Sequence, residues 1–439
     1  MEAFIRFFID VNKLKFTKRP GWVLRGIKNP ESVASHAFRV LVLAWVFGLS
    51  PNRNIKRLLK LALVHSLSAA YIEYISPYEK LLKVRGKQEL IKKYPALVLR
   101  GSKEQKEKIA ARRFHEEETA VRKLIHGLPE PQKNEIYSLW LDFQHKSSHG
   151  AKFLKTLDRV ENSIQAIEYR GQLSREVIYP FLSQIDEITD NKRILGFAKS
   201  IEEFFTKGRN KVRNKKNAAM LEFLCELGKL KQIKRIGWIY GGAEEEKTES
   251  IADHSFRVAL MCWVLAARRR MDLEKVLKMA IVHDIVIIFT GDITPFDDLI
   301  SGDPKKDKKI LEEWPTRSKK EKERLTVKRR YKEREALDKL LKDLPAKLRD
   351  EILSLWFEYE EGFSKEGRFV RQVDRIEKLL QAIEYKAKGI YKPKLDPYWA
   401  QLKLLLDDPI LIEFVENIDK WYFSQRKGAS MFVDKEAQS

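Results

Sequence analysis

With 439 residues, 44% of them hydrophobic and 34% charged, the chain is long enough for two or more domains of ordinary size and reads as soluble and globular. No apolar run is long enough to span a bilayer, and two cysteines, Cys225 and Cys262, give no disulfide framework, so a reducing cytoplasm is the expected compartment. The formal net charge of +22 predicts attraction to phosphate-bearing partners and possible non-specific nucleic-acid contact at low salt, the alternative being high Lys and Glu content on solvated helices.

The first residues, MEAFIRFFIDVNKLKF, are apolar but charged throughout and lack a small-residue cleavage site, which predicts a first helix rather than a signal peptide. Soon after comes ESVASHAFRV at 31–40, which returns as ESIADHSFRV at 249–258 with seven of ten residues identical at an offset of 218. DRVENSIQAIEY at 158–169 returns as DRIEKLLQAIEY at 374–385, eight of twelve identical at an offset of 216. KRPGWV at 18–23 and EIYSLW at 135–140 likewise recur as KRIGWI and EILSLW. The chain is therefore a duplication. It divides into a first copy at 1–205, a polar and basic linker at 206–216, a second copy at 217–429 and a C-terminal tail at 430–439 in which no order is expected.

Within each copy the pattern is helical. NIKRLLKLALVHSLSAAYIEYI and LEKVLKMAIVHDIVIIF carry apolar residues around most of the turn, as a buried central helix should. ALDKLLKDLP and AKLRDEILSLWFEYEEG space them by three and four, with prolines at 129 and 345 marking matching helix ends. The VIIF run has strand propensity but no partner strands, so the fold class expected is all-α. The densest charged segment, 305–335, mixes acids among its bases and reads as a solvated helical face.

The chemistry concentrates in the second copy. His254 stands near the start of one apolar segment, and His283 and Asp284 are adjacent in another. Adjacent helical residues project about 100° apart, so this pair can reach one ion over its shared edge, with His254 as a further ligand. Imidazole nitrogen with carboxylate oxygen suits one divalent ion, and Mn, Co, Mg, Fe, Ni and Zn are all open.

At KRIGW (234–238), ESIADHSFRVA (249–259), the HD pair (283–284), GDITP (291–295) and VDRIEKLLQAIEY (373–385) the chain resembles the HD-domain phosphohydrolases, in particular the HD-domain 5'-nucleotidases. The resemblance implies two tandem HD-domain helical bundles. It adds Asp374 to the metal ligands His254, His283 and Asp284. It implies Asp292 as a catalytic residue, Arg235 for the substrate phosphate and Trp238 against the nucleoside. Arg257, one turn after His254, either faces the same phosphate or forms a salt bridge. The expected substrate is a small phosphorylated molecule, a nucleoside 5'-monophosphate above all.

Two departures qualify the match. The nucleotidase pattern places a Glu three residues after the HD aspartate, where this chain has Ile287, which can neither hold nor deprotonate water. In the first copy His36, His65 and Asp158 remain, but Ser66 replaces the metal-binding Asp, Ala69 the Glu, and Tyr74 the counterpart of Asp292. That copy is expected to be degenerate and inactive, packing on the second as an intramolecular pseudo-dimer. Two functions follow: a metal-dependent phosphohydrolase working in the second copy, or an impaired pseudoenzyme acting as a nucleotide- or nucleic-acid-binding scaffold.

Overall fold

The structure, a computed structural model, describes residues 1–49, 53–72, 103–267, 269–294, 297–301, 307, 310 and 318–425. Tyr74 and the tail at 430–439 lie outside the described residues. Helices of nine or more residues are numbered here in chain order. The first copy holds α1 (Glu2–Asn12), α2 (Val33–Gly48), α3 (Ile55–Val64), α4 (Lys103–Ile125), α5 (Glu130–His145), α6 (His149–Glu168), α7 (Arg175–Ser183) and α8 (Lys192–Lys207). The second holds α9 (Lys215–Gly228), α10 (Ile251–Ala266), α11 (Leu273–Val282), α12 (Lys319–Leu341), α13 (Ala346–Glu361), α14 (Lys365–Ala387), α15 (Asp396–Leu405) and α16 (Pro409–Gln425). Among the described residues there is no strand, only the isolated bridges Lys18 to Ser32 and Lys234 to Ser250, which occupy matching places in the two copies. The all-α expectation holds.

The centre of each bundle follows from one sequence. Every residue of α2 and of α10 is buried, because these helices are apolar almost all round. Helix α10 packs on α11 and α14, as α2 packs on α3 and α6. Truncating a core ring such as Phe256, fully buried in α10, costs about 3–5 kcal/mol at a site of this kind. Ser250 starts α10 with a reciprocal capping box: its Oγ accepts from Asp253 N at 3.1 Å, and Asp253 Oδ2 accepts from Ser250 N at 2.9 Å. His254 thereby sits one turn into a rigid, buried helix.

The segment expected as one long helix through the HD pair is broken. Helix α11 stops at Val282, residues 283–286 form turns, and a short helix runs Ile287–Thr290. A continuing helix would bond Asp284 N to Ala280 O, but the His283 ring donates Nδ1–H to that carbonyl at 2.9 Å. The following bonds shorten to the three-residue spacing, Ile285 N to Val282 O and Ile287 N to Asp284 O. The first copy repeats the device with His65 Nδ1 and Ala62 O at 2.7 Å, and follows it with a 3₁₀ turn at Leu67–Ala70. Gly291 then takes φ +72°, the left-handed conformation that only glycine adopts freely, and turns the chain toward Asp292.

Two compact units emerge, and they cut across the repeats. One contains Met1–Ile9, Gln232–Lys342 and Asp350–Ser439, the other Asp10–Lys231 and Asp343–Arg349. In the former, Phe8 of α1 meets Phe414 of α16 edge to face, with ring centres 5.9 Å apart. In the latter, α9 packs on α2, α6 and α8. Residues 206–216, expected as the linker, fall within the second of these units. No helix among the described residues is long and apolar enough to cross a membrane.

Candidate metal centre

Helices α10 and α14 and the turn after α11 bring four side chains to one point. His254 Nε2 lies 2.9 Å from Asp374 Oδ1 and 3.8 Å from Asp284 Oδ2. His283 Nε2 lies 3.4 Å from Asp284 Oδ2 and 3.9 Å from Asp374 Oδ1. One ligand atom from each of His254, His283 and Asp374 falls within 4.8 Å of the others. His254, His283 and Asp374 are buried, and Asp284 is close to it.

The donor set fits a divalent ion. His283 gives its Nδ1–H to Ala280 O, which leaves the lone pair on Nε2, and that atom is buried with no hydrogen-bond partner. His254 Nδ1 lies 2.5 Å from Glu377 Oε2, an arrangement that fixes the ring and directs Nε2 toward the carboxylates. Against the burial that would raise it, Asp284 is held far below the usual carboxylate range by His283 and Arg235, and Asp374 is held low by Lys378 and His254. Two imidazoles and two ionised carboxylates form the kind of mixed nitrogen and oxygen site that Mn, Fe, Co, Ni or Zn accept.

The neighbouring charges come from residues flanking the site. Arg235 donates NH1 to Asp284 Oδ2 at 2.9 Å and lies 3.6 Å from Asp292 Oδ1. Asp292 Oδ2 accepts Ile236 N at 2.8 Å, so this carboxylate holds the start of the short helix Ile236–Tyr240 while facing the guanidinium. Trp238 is enclosed, 4% exposed, with Nε1 on Glu249 at 2.8 Å and its ring stacked on Tyr398 at 6.1 Å. Trp22 bonds Glu31 in the same way at 2.9 Å in the first copy. Arg257 resolves as a buried salt bridge, donating to Glu377 and Glu384 at 2.7 Å each.

Three contacts escaped the sequence reading. Asp374 Oδ2 accepts from Lys378 Nζ at 2.9 Å and from Tyr359 OH at 3.1 Å, and Glu377 orients His254. The duplication carried a signal for Glu377, since DRVE at 158–161 and DRIE at 374–377 keep both acids. Lys378 has Asn162 as its counterpart and carried no such signal.

The first copy keeps the frame and loses the charge. His36, His65 and Asp158 still converge, with His36 Nε2 at 3.1 Å from Asp158 Oδ1 and Nδ1 at 2.5 Å from Glu161. His65, pulled down to about 4 chiefly by burial, stays neutral. Ser66 supplies no carboxylate, and Arg19, the counterpart of Arg235, bonds Asn162 at 2.5 Å instead. Lys231 lies among Glu31, Glu161 and Gln165, with Nζ 2.7 Å from Gln165 Oε1.

These helices bring His, His-Asp and a distal Asp into a cluster that could hold a metal ion, and the HD domain family matches residues 11–199 and 227–398, so the chain belongs to that family and carries its domain twice. Among its relatives are the 5'-deoxynucleotidase HDDC2 of Xenopus laevis, 31% identical over 46% of this chain and 86% of that protein, and its human namesake, 30% identical over 46% and 85%. The 5'-deoxynucleotidase YGK1 of Saccharomyces cerevisiae is 28% identical over 49% of this chain and 85% of its own length.

Proposed function

We propose that the chain is a metal-dependent phosphohydrolase whose second copy removes phosphate from nucleoside 5'-monophosphates, with deoxynucleotides first in line because the relatives are named 5'-deoxynucleotidases. The convergence of His254, His283, Asp284 and Asp374 beside Arg235 carries this reading. The four would hold one divalent ion, which when bound polarises a phosphoryl oxygen and makes water easier to deprotonate.

The remaining steps belong to the chain itself. Glu377 keeps His254 in the ligating orientation. Arg235, with donors beyond the one given to Asp284, binds the phosphate and neutralises its charge. Asp292, fixed by Ile236 N, stands beside that guanidinium and assists proton transfer at the leaving oxygen. Trp238 meets a nucleoside by exchanging its stack on Tyr398 for the base. The first copy, lacking a carboxylate at Ser66, does no chemistry in this scheme.

The test is phosphate release from ribo- and deoxyribonucleoside monophosphates with added manganese, cobalt or magnesium, using Asp284→Ala as control. Release that vanishes in the variant is expected. No release with any metal, together with nucleotide or RNA binding, would instead favour the scaffold reading that Ile287 in place of Glu suggests.

A further inference from the structure

Glu333 of α12 is buried with Oε1 3.5 Å from Arg329 Nε and Oε2 without a hydrogen-bond partner, but a lone carboxylate makes no site. The first copy holds a stronger case, because there two bare imidazole nitrogens meet a carboxylate. His36 stands one turn into α2, His65 follows the end of α3, and Asp158 lies in the middle of α6. One ligand atom from each falls within 4.8 Å of the others, and all three residues are buried.

The two histidine rings meet edge to face with centres 5.5 Å apart. His36 Nε2 lies 3.1 Å from Asp158 Oδ1, yet the pair is not aligned as a hydrogen bond, and His65 Nε2 is also buried without a partner. Ser66 Oγ, on the next residue, is a third such atom. Bare polar atoms in the interior are costly unless something outside the chain satisfies them. Both rings are held through their other nitrogen: His36 Nδ1 lies 2.5 Å from Glu161 Oε2, and His65 Nδ1–H donates to Ala62 O at 2.7 Å. A proton on Nδ1 leaves the lone pair on Nε2, the arrangement a metal ligand needs.

This ligand set differs from that of the second copy. Ser66 in place of Asp284 leaves one carboxylate instead of two, and Lys155 Nζ lies 3.2 Å from Asp158 Oδ2. Two imidazoles and one carboxylate, with the fourth position left to water, suit tetrahedral zinc. Magnesium and calcium, which want shells of oxygen, are disfavoured. Arg19 is committed to Asn162 at 2.5 Å, so the guanidinium that corresponds to Arg235 serves no substrate here.

We propose that the first copy holds a zinc ion on His36, His65 and Asp158, where it ties α2, α6 and the end of α3 together without catalysing hydrolysis. The inference stands apart from the phosphohydrolase reading, which concerns the second copy.

The test is zinc uptake by the full chain, stripped with a chelator and then titrated against a competing one. His65→Asn removes Nε2 while its amide can still donate to Ala62 O, and His283→Asn does the same at Ala280 O in the second copy. Wild type should take up two zinc ions per chain, each single variant one, and the double variant none. Asp158→Asn should show the same loss as His65→Asn and replaces it if that chain fails to fold. The His283→Asn chain, keeping only the first-copy site, should give the intense visible bands of a four-coordinate ion with cobalt, and its Tm should rise with added zinc. A His283→Asn chain that binds no zinc, or zinc uptake that is unchanged by both His65→Asn and Asp158→Asn, would overturn the proposal and leave the bare nitrogens to buried water. A single ion that survives His283→Asn and is lost in His65→Asn would uphold the first-copy site while removing the metal, and with it the phosphohydrolase reading, from the second.

Discussion

Replacing Glu333 by Gln should stabilise the unit that contains it, and the gain should depend on pH in a defined direction. The folded-state carboxyl, raised by burial to about 7 from an ordinary 4.5, favours its neutral form. A raised acid contributes fully below the unfolded value, and its contribution is lost as pH rises through the folded one. The native chain therefore carries a buried charge, only partly offset by Arg329, at pH 8 and almost none at pH 5. The shift corresponds to about 3 kcal/mol, which solvent screening at this partly exposed group reduces to about 1.5 kcal/mol. Glutamine has no charge to bury, so Glu333→Gln should exceed wild type by that amount at pH 8, about 3–6 °C in Tm for a unit of this size. By pH 5 most of the difference should close. Scanning calorimetry of both chains at the two pH values decides it. A Tm difference that is the same at both, or a variant less stable at pH 8, would refute the claim that the buried Oε2 is destabilising when ionised.

Two further outcomes follow from the contacts behind the ligands. Glu377→Gln, which weakens the hold on the His254 ring, should lower metal affinity about 10–100-fold, measured by competition with a chelator, while the helical circular dichroism stays unchanged. Lys231→Met should leave Glu31 and Glu161, both buried, short of a cation, at a cost of about 3 kcal/mol, seen as a lower Tm by calorimetry; an unchanged Tm would mean that Arg39 suffices for Glu161 and that Arg19 and Trp22 suffice for Glu31.

Much of the site was readable from residue types. Two histidines in otherwise apolar segments and an aspartate beside one of them pointed to one cluster, the family resemblance added Asp374, and the structure brings His254, His283, Asp284 and Asp374 together. The helix break was hidden because no glycine or proline marks it. A side chain competing for Ala280 O decides it, and His283 also looks like an ordinary member of an apolar run. Glu333 was hidden for the opposite reason: among the alternating charges of α12 nothing but packing separates the buried carboxylate from its solvated neighbours. The repeats were plain, but the membership of α1 and α9 was not. Both are short helices with comparable apolar faces, FIRFFI and MLEFLC, and either could close either bundle.

That membership changes what can be taken apart. The first residues of the chain cluster with the second bundle, and the stretch from 206 to 231 clusters with the first. A cut near 206–216 would therefore yield two fragments, each missing a helix held by the other. Made separately they would behave as a complementing pair, soluble and ordered together but incomplete apart. Neither repeat is then free to be lost, shuffled to another gene or replaced by an unrelated copy, even though only one of them keeps the full ligand set.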